Sequence, residues 1–268
     1  GTELWSKNYD RILEDVFGIQ DEIADLVAAE VAPQIAAGLA DSYTPSLEAY
    51  THFLAGRDLI ARRNRPAGLE QLEKAVELDP LYAEAQAEYA VSLLMGSPDG
   101  PSIRTAAGAI EAALRQDPDL PRALAARGLY FNALPVPEPR AAEQALRKAL
   151  ERDPNMVDAM NWLGQAVRAQ GRHDEAGEWL EKAYALDPRN IYVLGRYASR
   201  LAIFGDYQAA LQIYRRGVAL EPDAPRPYAN LADLHFQFGR YDDGVRASLA
   251  QIERSPDSPQ PYVSIATA

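Results

Sequence analysis

Cysteine is absent from this chain, histidine occurs three times, and no apolar run is long enough to cross a bilayer. Without cysteine there is no disulfide, no thiolate metal site and no sulfur nucleophile. The histidines, His52, His173 and His235, are too far apart in sequence to form a metal-binding pair. No nucleophile elbow and no glycine-rich phosphate loop occurs. A positive balance is lacking too, with 27 Lys and Arg against 39 Asp and Glu and a net charge of −12. Phosphate recognition rests on clustered Lys and Arg, so nucleic acid is not an expected partner. Nor is a membrane, a metal or a cofactor, and no residue is singled out as catalytic.

Proline, by contrast, is regularly placed. Pro80, Pro118, Pro154, Pro188, Pro222 and Pro256 are separated by 38, 36, 34, 34 and 34 residues. Most sit in near-copies of one phrase: Leu78-Asp79-Pro80, Gln116-Asp117-Pro118, Arg152-Asp153-Pro154, Leu186-Asp187-Pro188 and Leu220-Glu221-Pro222. Proline lacks the amide hydrogen that a preceding turn needs and drives the residue before it out of the helical region, so each phrase ends a helix. A fixed period in this range marks a repeat array, in which units too small to bury their own apolar faces stack on their neighbours.

Take Val157 as position 1 of a unit. Leu163 and Gly164 then fall at positions 7 and 8, Ala176 at 20, Leu180 at 24, Ala183 at 27 and Pro188 at 32. The next unit places Tyr197, Ala198, Ala210, Tyr214, Gly217 and Pro222 likewise, and the unit from Ala49 supplies Gly56, Gly68, Leu72 and Ala75. This resembles the tetratricopeptide repeat. The expected fold is all-α: a right-handed superhelix, or α-solenoid, of six helix-turn-helix repeats at 49–82, 83–120, 121–156, 157–190, 191–224 and 225–258. Two units are longer than 34 residues, and the extra residues fit turn-rich loops at 96–101 and 135–139. Gly171, Gly205 and Gly239 are expected to close first helices as left-handed caps. The last unit carries Ser248 and Gln251 where apolar residues are expected, and 259–268 reads as the start of a further helix.

Residues 1–41 stand outside the period. Thr2 to Lys7 alternates as a strand does, and Ile19, Ile23, Leu26, Val27, Val31, Ile35 and Leu39 recur at helical spacing, with Pro33 as an interruption. The wording Leu4-Trp5-Ser6, Tyr9-Asp10-Arg11, Leu13-Glu14-Asp15-Val16-Phe17 and Gln20-Asp21-Glu22-Ile23-Ala24 resembles the end of the TolB-like or FlgO-like α/β domain. In bacterial class III adenylate cyclases and winged-helix transcriptional regulators, that domain precedes tetratricopeptide arrays. The resemblance implies a strand and a long capping helix before the array, in a piece of a longer regulator whose output domain lies upstream. It carries over no active-site residue.

In the family that the repeats resemble, positions 2, 5, 9, 12 and 13 of each first helix line the concave groove. Here these positions supply Tyr50, Phe53, Arg57, Arg122, Asn132, Asn161, Arg168, Tyr192, Arg226 and Phe236, with Leu94, Leu129, Asp158, Gln165 and Asp233 among them. Aromatic and arginine side chains on such a face anchor peptides or helices. Some family members hold a chaperone's C-terminal carboxylate with Lys at position 5, but Phe53, Ala87, Ala125, Asn161, Gly195 and Ala229 occupy that position here. The expected role is a non-enzymatic protein-interaction scaffold in a bacterial regulator, binding a partner peptide or helix. Two alternatives stay open: the regulatory tail of an adenylate cyclase, and a self-association module pairing through the N-terminal strand or the apolar C-terminal end. The expected location is cytoplasmic, or periplasmic if a membrane helix lies upstream.

Overall fold

A computed structural model describes residues 43–62, 64–95 and 98–267. The expected strand at Thr2–Lys7, the long helix after it and the break at Pro33 lie outside these residues. The described residues contain helices and turns and no strand.

Thirteen helices follow one another among the described residues. The first helices of the six repeats are α1 (Leu47–Ala61), α3 (Ala83–Leu94), α5 (Pro121–Ala133), α7 (Val157–Ala169), α9 (Ile191–Ile203) and α11 (Pro225–Gln237). Their antiparallel partners are α2 (Arg65–Leu78), α4 (Gly100–Gln116), α6 (Pro139–Arg152), α8 (His173–Leu186), α10 (Tyr207–Leu220) and α12 (Tyr241–Arg254), and α13 (Gln260–Ala266) follows them. Each helix packs on the next in the chain. First helices also pack on first helices, α3 on α5, α5 on α7 and α9 on α11, but the corresponding contacts of α1 with α3 and of α7 with α9 are weaker.

The Asp-Pro phrase has a local cause. The backbone amides of Asp79, Asp117, Asp153 and Asp187 donate to the carbonyls of Ala75, Ala113, Ala149 and Ala183, closing one helix. Their carboxylates then accept from the amides two residues on, at Leu81, Asp119, Asn155 and Arg189, which builds the turn into the next unit. Inside repeats 4, 5 and 6, Gly171, Gly205 and Gly239 take φ of +82, +85 and +68°. The amides after them reach back to the carbonyls of Val167, Leu201 and His235, which gives each first helix a Schellman cap. Repeat 3 lacks this cap; its helices are joined by the glycine-free connection from Leu134 to Glu138.

Small residues hold the paired helices close. Position 8 is Gly56, Ala90, Gly128, Gly164, Ala198 and Ala232, and all six are buried. A Cβ on Gly128 would fall 2.3 Å from Cγ of Leu146, itself fully buried on α6. The largest apolar cluster extends from Ala49 to Val193, a second begins at Leu194 and ends at Leu234, and a third, smaller one joins Ala83, Ala87, Ala113, Leu120 and Ala123. Tyr184 touches the first two. In the last repeat Ser248 is fully buried with no partner for its hydroxyl, and Gln251 is buried beside it on α12. On α13, Pro261 is buried while Tyr262 and Val263 stay half exposed.

Candidate functional site: the first-helix face

The ten side chains expected to line a groove fall on the first helices and have different surroundings. Tyr50 on α1 is 42% exposed, whereas Phe53, one turn on, is buried edge-on against the Tyr82 ring at 5.0 Å. Exposed Arg57 lies over the Phe53 ring, 5.4 Å from its centroid. Leu94 and Leu129 are buried in the core. Asn132 is half-buried and donates from Nδ2 to the carbonyl of Trp162 at 3.1 Å, bridging α5 to α7. Asn161 is buried, and its Oδ1 has no hydrogen-bond partner. Phe236 is half-buried against Gly244, where a Cβ would come within 2.4 Å of its ring.

The arginines on this face are of two kinds. Arg122 on α5 donates from Nε to Glu88 of α3 at 2.8 Å and from Nη1 to Asp158 of α7 at 3.0 Å, tying three repeats together. Its guanidinium also lies 5.8 Å from the Trp162 ring. Burial alone would lower the Arg122 pKa, but the two carboxylates outweigh it and raise the value. Arg168 on α7 and Arg226 on α11 form no ion pair among the described residues. Arg226 lies 5.1 Å over the ring of Tyr192. Between them stands Arg196 on α9, half-buried, whose Nη2 donates to the amide oxygen of Gln165 at 2.9 Å. Burial first, and then repulsion from Arg168 and Arg226, pushes Arg196 down to about 10, so it remains cationic at neutral pH.

Glu88 and Arg196 were not among the residues expected on this face. Both occupy position 6, which a list of positions 2, 5, 9, 12 and 13 passes over. The signal was available: position 6 of one unit and position 2 of the next hold Glu88 with Arg122, and also Arg196 with Arg226.

The histidines are accounted for by packing and exposure. His52 hydrogen-bonds Gln71 at 2.7 Å, and buried His235 hydrogen-bonds the Tyr207 hydroxyl at 3.0 Å. His173 is exposed at the start of α8. No group of three His, Asp or Glu side chains among the described residues is placed to hold a metal ion, and none of their helices is long and apolar enough to cross a membrane.

Paired helices stacked at a regular period, with one face carrying aromatic, amide and guanidinium groups, define a helical-repeat scaffold of the kind that binds other proteins. Two tetratricopeptide repeat profiles match the sequence, one over residues 53–97 and 138–191 and the other over 201–263. The chain belongs to the tetratricopeptide repeat family.

Among solved structures it is similar to pilF of Pseudomonas aeruginosa, at 22% identity and a TM-score of 0.57 over 82% of this chain and 98% of that one. It is also similar to the Cut9–Hcn1 hetero-tetramer of the APC/C, at 14% identity and a TM-score of 0.65 over 87% of this chain and 45% of that one. These likenesses concern the fold. One stretch of 101 residues is 30% identical to a putative adenylate cyclase 3 of Rhizobium meliloti, covering 35% of this chain and 17% of that protein's length.

Proposed function

We propose that this chain is the protein-interaction region of a bacterial signalling or transcriptional regulator, and that it docks a partner peptide or helix along the first-helix face. The observation that carries the reading is the row of aromatic and arginine side chains on that face, Tyr50, Arg57, Arg168, Tyr192 and Arg226, spread over four of the six repeats. Such a row can read an extended or helical segment at several points, and aromatic and arginine residues supply most of the energy at interfaces. Because each repeat contacts only its neighbours, a segment bridging several of them would change the curvature of the stack and pass strain to an attached domain. The resemblance of residues 1–41 to a domain that precedes such arrays in regulators favours this setting. The similarity to the Rhizobium meliloti protein favours a nucleotide cyclase as the attached domain, over a winged-helix one.

A photo-crosslinking residue tests the docking face. Placed at Tyr50 or Arg168 in the native organism, it is expected to capture a discrete partner, while the same residue at exposed Glu151 on α6 captures none. Equal capture from both places would overturn the assignment of the face. The coding sequence upstream of the array separates the two output domains.

A further inference from the structure

Between repeats 2 and 3, position 6 of one unit and position 2 of the next are Glu88 and Arg122, in contact at 2.8 Å. Between repeats 5 and 6, the same two positions hold Arg196 and Arg226. Two positive charges thus stand where repeats 2 and 3 close an ion pair. A third, Arg168 at position 12 of repeat 4, acts on Arg196 together with Arg226. Among the described residues no carboxylate pairs with any of the three. Arg168 and Arg226 are exposed, but Arg196 between them is half-buried; a half-buried cation held beside two others without a counter-ion is unfavourable and leaves a place for an anion.

The surroundings have the form of a site. Where α7 and α9 separate, a cavity of about 660 Å³ opens, lined by Arg168, Arg196 and Arg200 together with α8. Its apolar wall includes Leu180, Ile203 and Phe204, of which the last two are 69% and 65% exposed. Gly177 on α8 admits the Arg200 guanidinium, because a Cβ there would fall 2.1 Å from Nε. That Nε is buried and has no hydrogen-bond partner, while Nη1 of the same group donates to Glu181 at 2.7 Å. Asp174 lines the rim of the cavity, and Asp233 shares a smaller cavity of about 230 Å³ with Arg196 and Arg226; neither carboxylate is ion-paired to an arginine of the cluster. Burial pushes the Asp233 carboxyl above the usual range, the opposite of what pairing with an arginine would do.

We infer that this joint between repeats 4 and 6 takes an acidic peptide segment: a partner Asp or Glu carboxylate enters among Arg168, Arg196 and Arg226, and an apolar side chain beside it rests on Leu180, Ile203 and Phe204. The inference rests on the docking reading above and names the chemistry of the docked segment. A nucleic acid is disfavoured by the overall negative charge, and an inorganic anion would leave the apolar wall unused. The space matches one or two side chains and their backbone.

Selection of random displayed peptides against the wild-type chain, Arg196→Glu and Arg168→Gln tests this. Arg196→Glu rebuilds with Arg226 the pair that Glu88 makes with Arg122, so its thermal midpoint is expected to equal or exceed that of the wild type. The wild type is expected to enrich peptides with Asp or Glu next to Leu, Ile or Phe. An enriched peptide should bind Arg196→Glu at least about tenfold more weakly, the loss of one good charged contact. Arg168→Gln should show a smaller loss, and Gln in place of the peptide's acidic residue should reproduce the larger one. Enriched peptides without acidic bias, or acidic peptides that bind Arg196→Glu as well as wild type, would overturn the inference while leaving docking on this face intact. Failure to enrich any peptide would count against both.

Discussion

Gly128 and Gly108 show how differently one residue type serves two helices. Gly128 lies where α5 and α6 touch, and an added methyl group would meet Leu146, which has no room to yield. Gly108 faces solvent on α4, and a methyl group there would have nothing within 4 Å of it. Gly128→Ala is therefore expected to destabilise the chain by about 1–3 kcal/mol through overpacking. Gly108→Ala should stabilise it by about 1 kcal/mol through helix propensity. Urea unfolding of both variants checks the pair, and equal effects would show that α5 and α6 are not packed as described. The close approach at position 8 was legible in the sequence because a small residue recurs there in every unit. The reach of a long side chain was not: Phe53 and Arg57 read alike as groove residues, yet Phe53 is buried edge-on against Tyr82 and Arg57 lies over the Phe53 ring. Which rotamer a side chain adopts depends on neighbours from the next repeat, and periodicity carries no record of that.

Helices α3, α5 and α7 are joined by more than apolar packing. Arg122 reaches from the middle helix to a carboxylate on each side, and its side chain is only 24% exposed, so its loss would strand Glu88 as well. Arg122→Gln is expected to lower stability by about 2 kcal/mol, in the range for hydrogen bonds to charged groups. Glu88→Gln should cost less once Arg122 is already replaced than it does alone. A double-mutant cycle by thermal unfolding measures that coupling, and additive effects would mean the two groups do not interact in solution. Helix boundaries were readable because their causes are local: Asp-Pro ends a second helix, glycine with positive φ ends a first one, and both signals recur at fixed positions. The weak joint between α7 and α9 was not readable. Val157–Pro188 and Ile191–Pro222 fit the repeat pattern equally well, and the separation arises where Arg200 beds against Gly177 while the core changes cluster at Leu194.

The described residues of the array bury one long apolar cluster, a short one from Leu194 to Leu234 and a smaller one about Ala87. In stacked repeats stability is close to a sum of unit and neighbour terms, so a weak neighbour contact lets one end open without the other. Leu234 lies in the cluster that begins at Leu194 and is almost fully buried. Leu234→Ala is expected to remove about 2–5 kcal/mol from the units that contain it. Hydrogen exchange should then quicken in α9 through α12, while amides of α3 and α5 keep their protection. Uniform loss of protection along the chain would show that the array unfolds as one cooperative body. Such a joint also gives the molecule a mechanical grain. Pulled from its two ends, the stack would yield first at the joint between α7 and α9, whereas the segment strapped by Arg122 would hold to higher force. A partner seated across the arginine cluster would close that seam, and the tension at which it parts would then report whether the seat is filled.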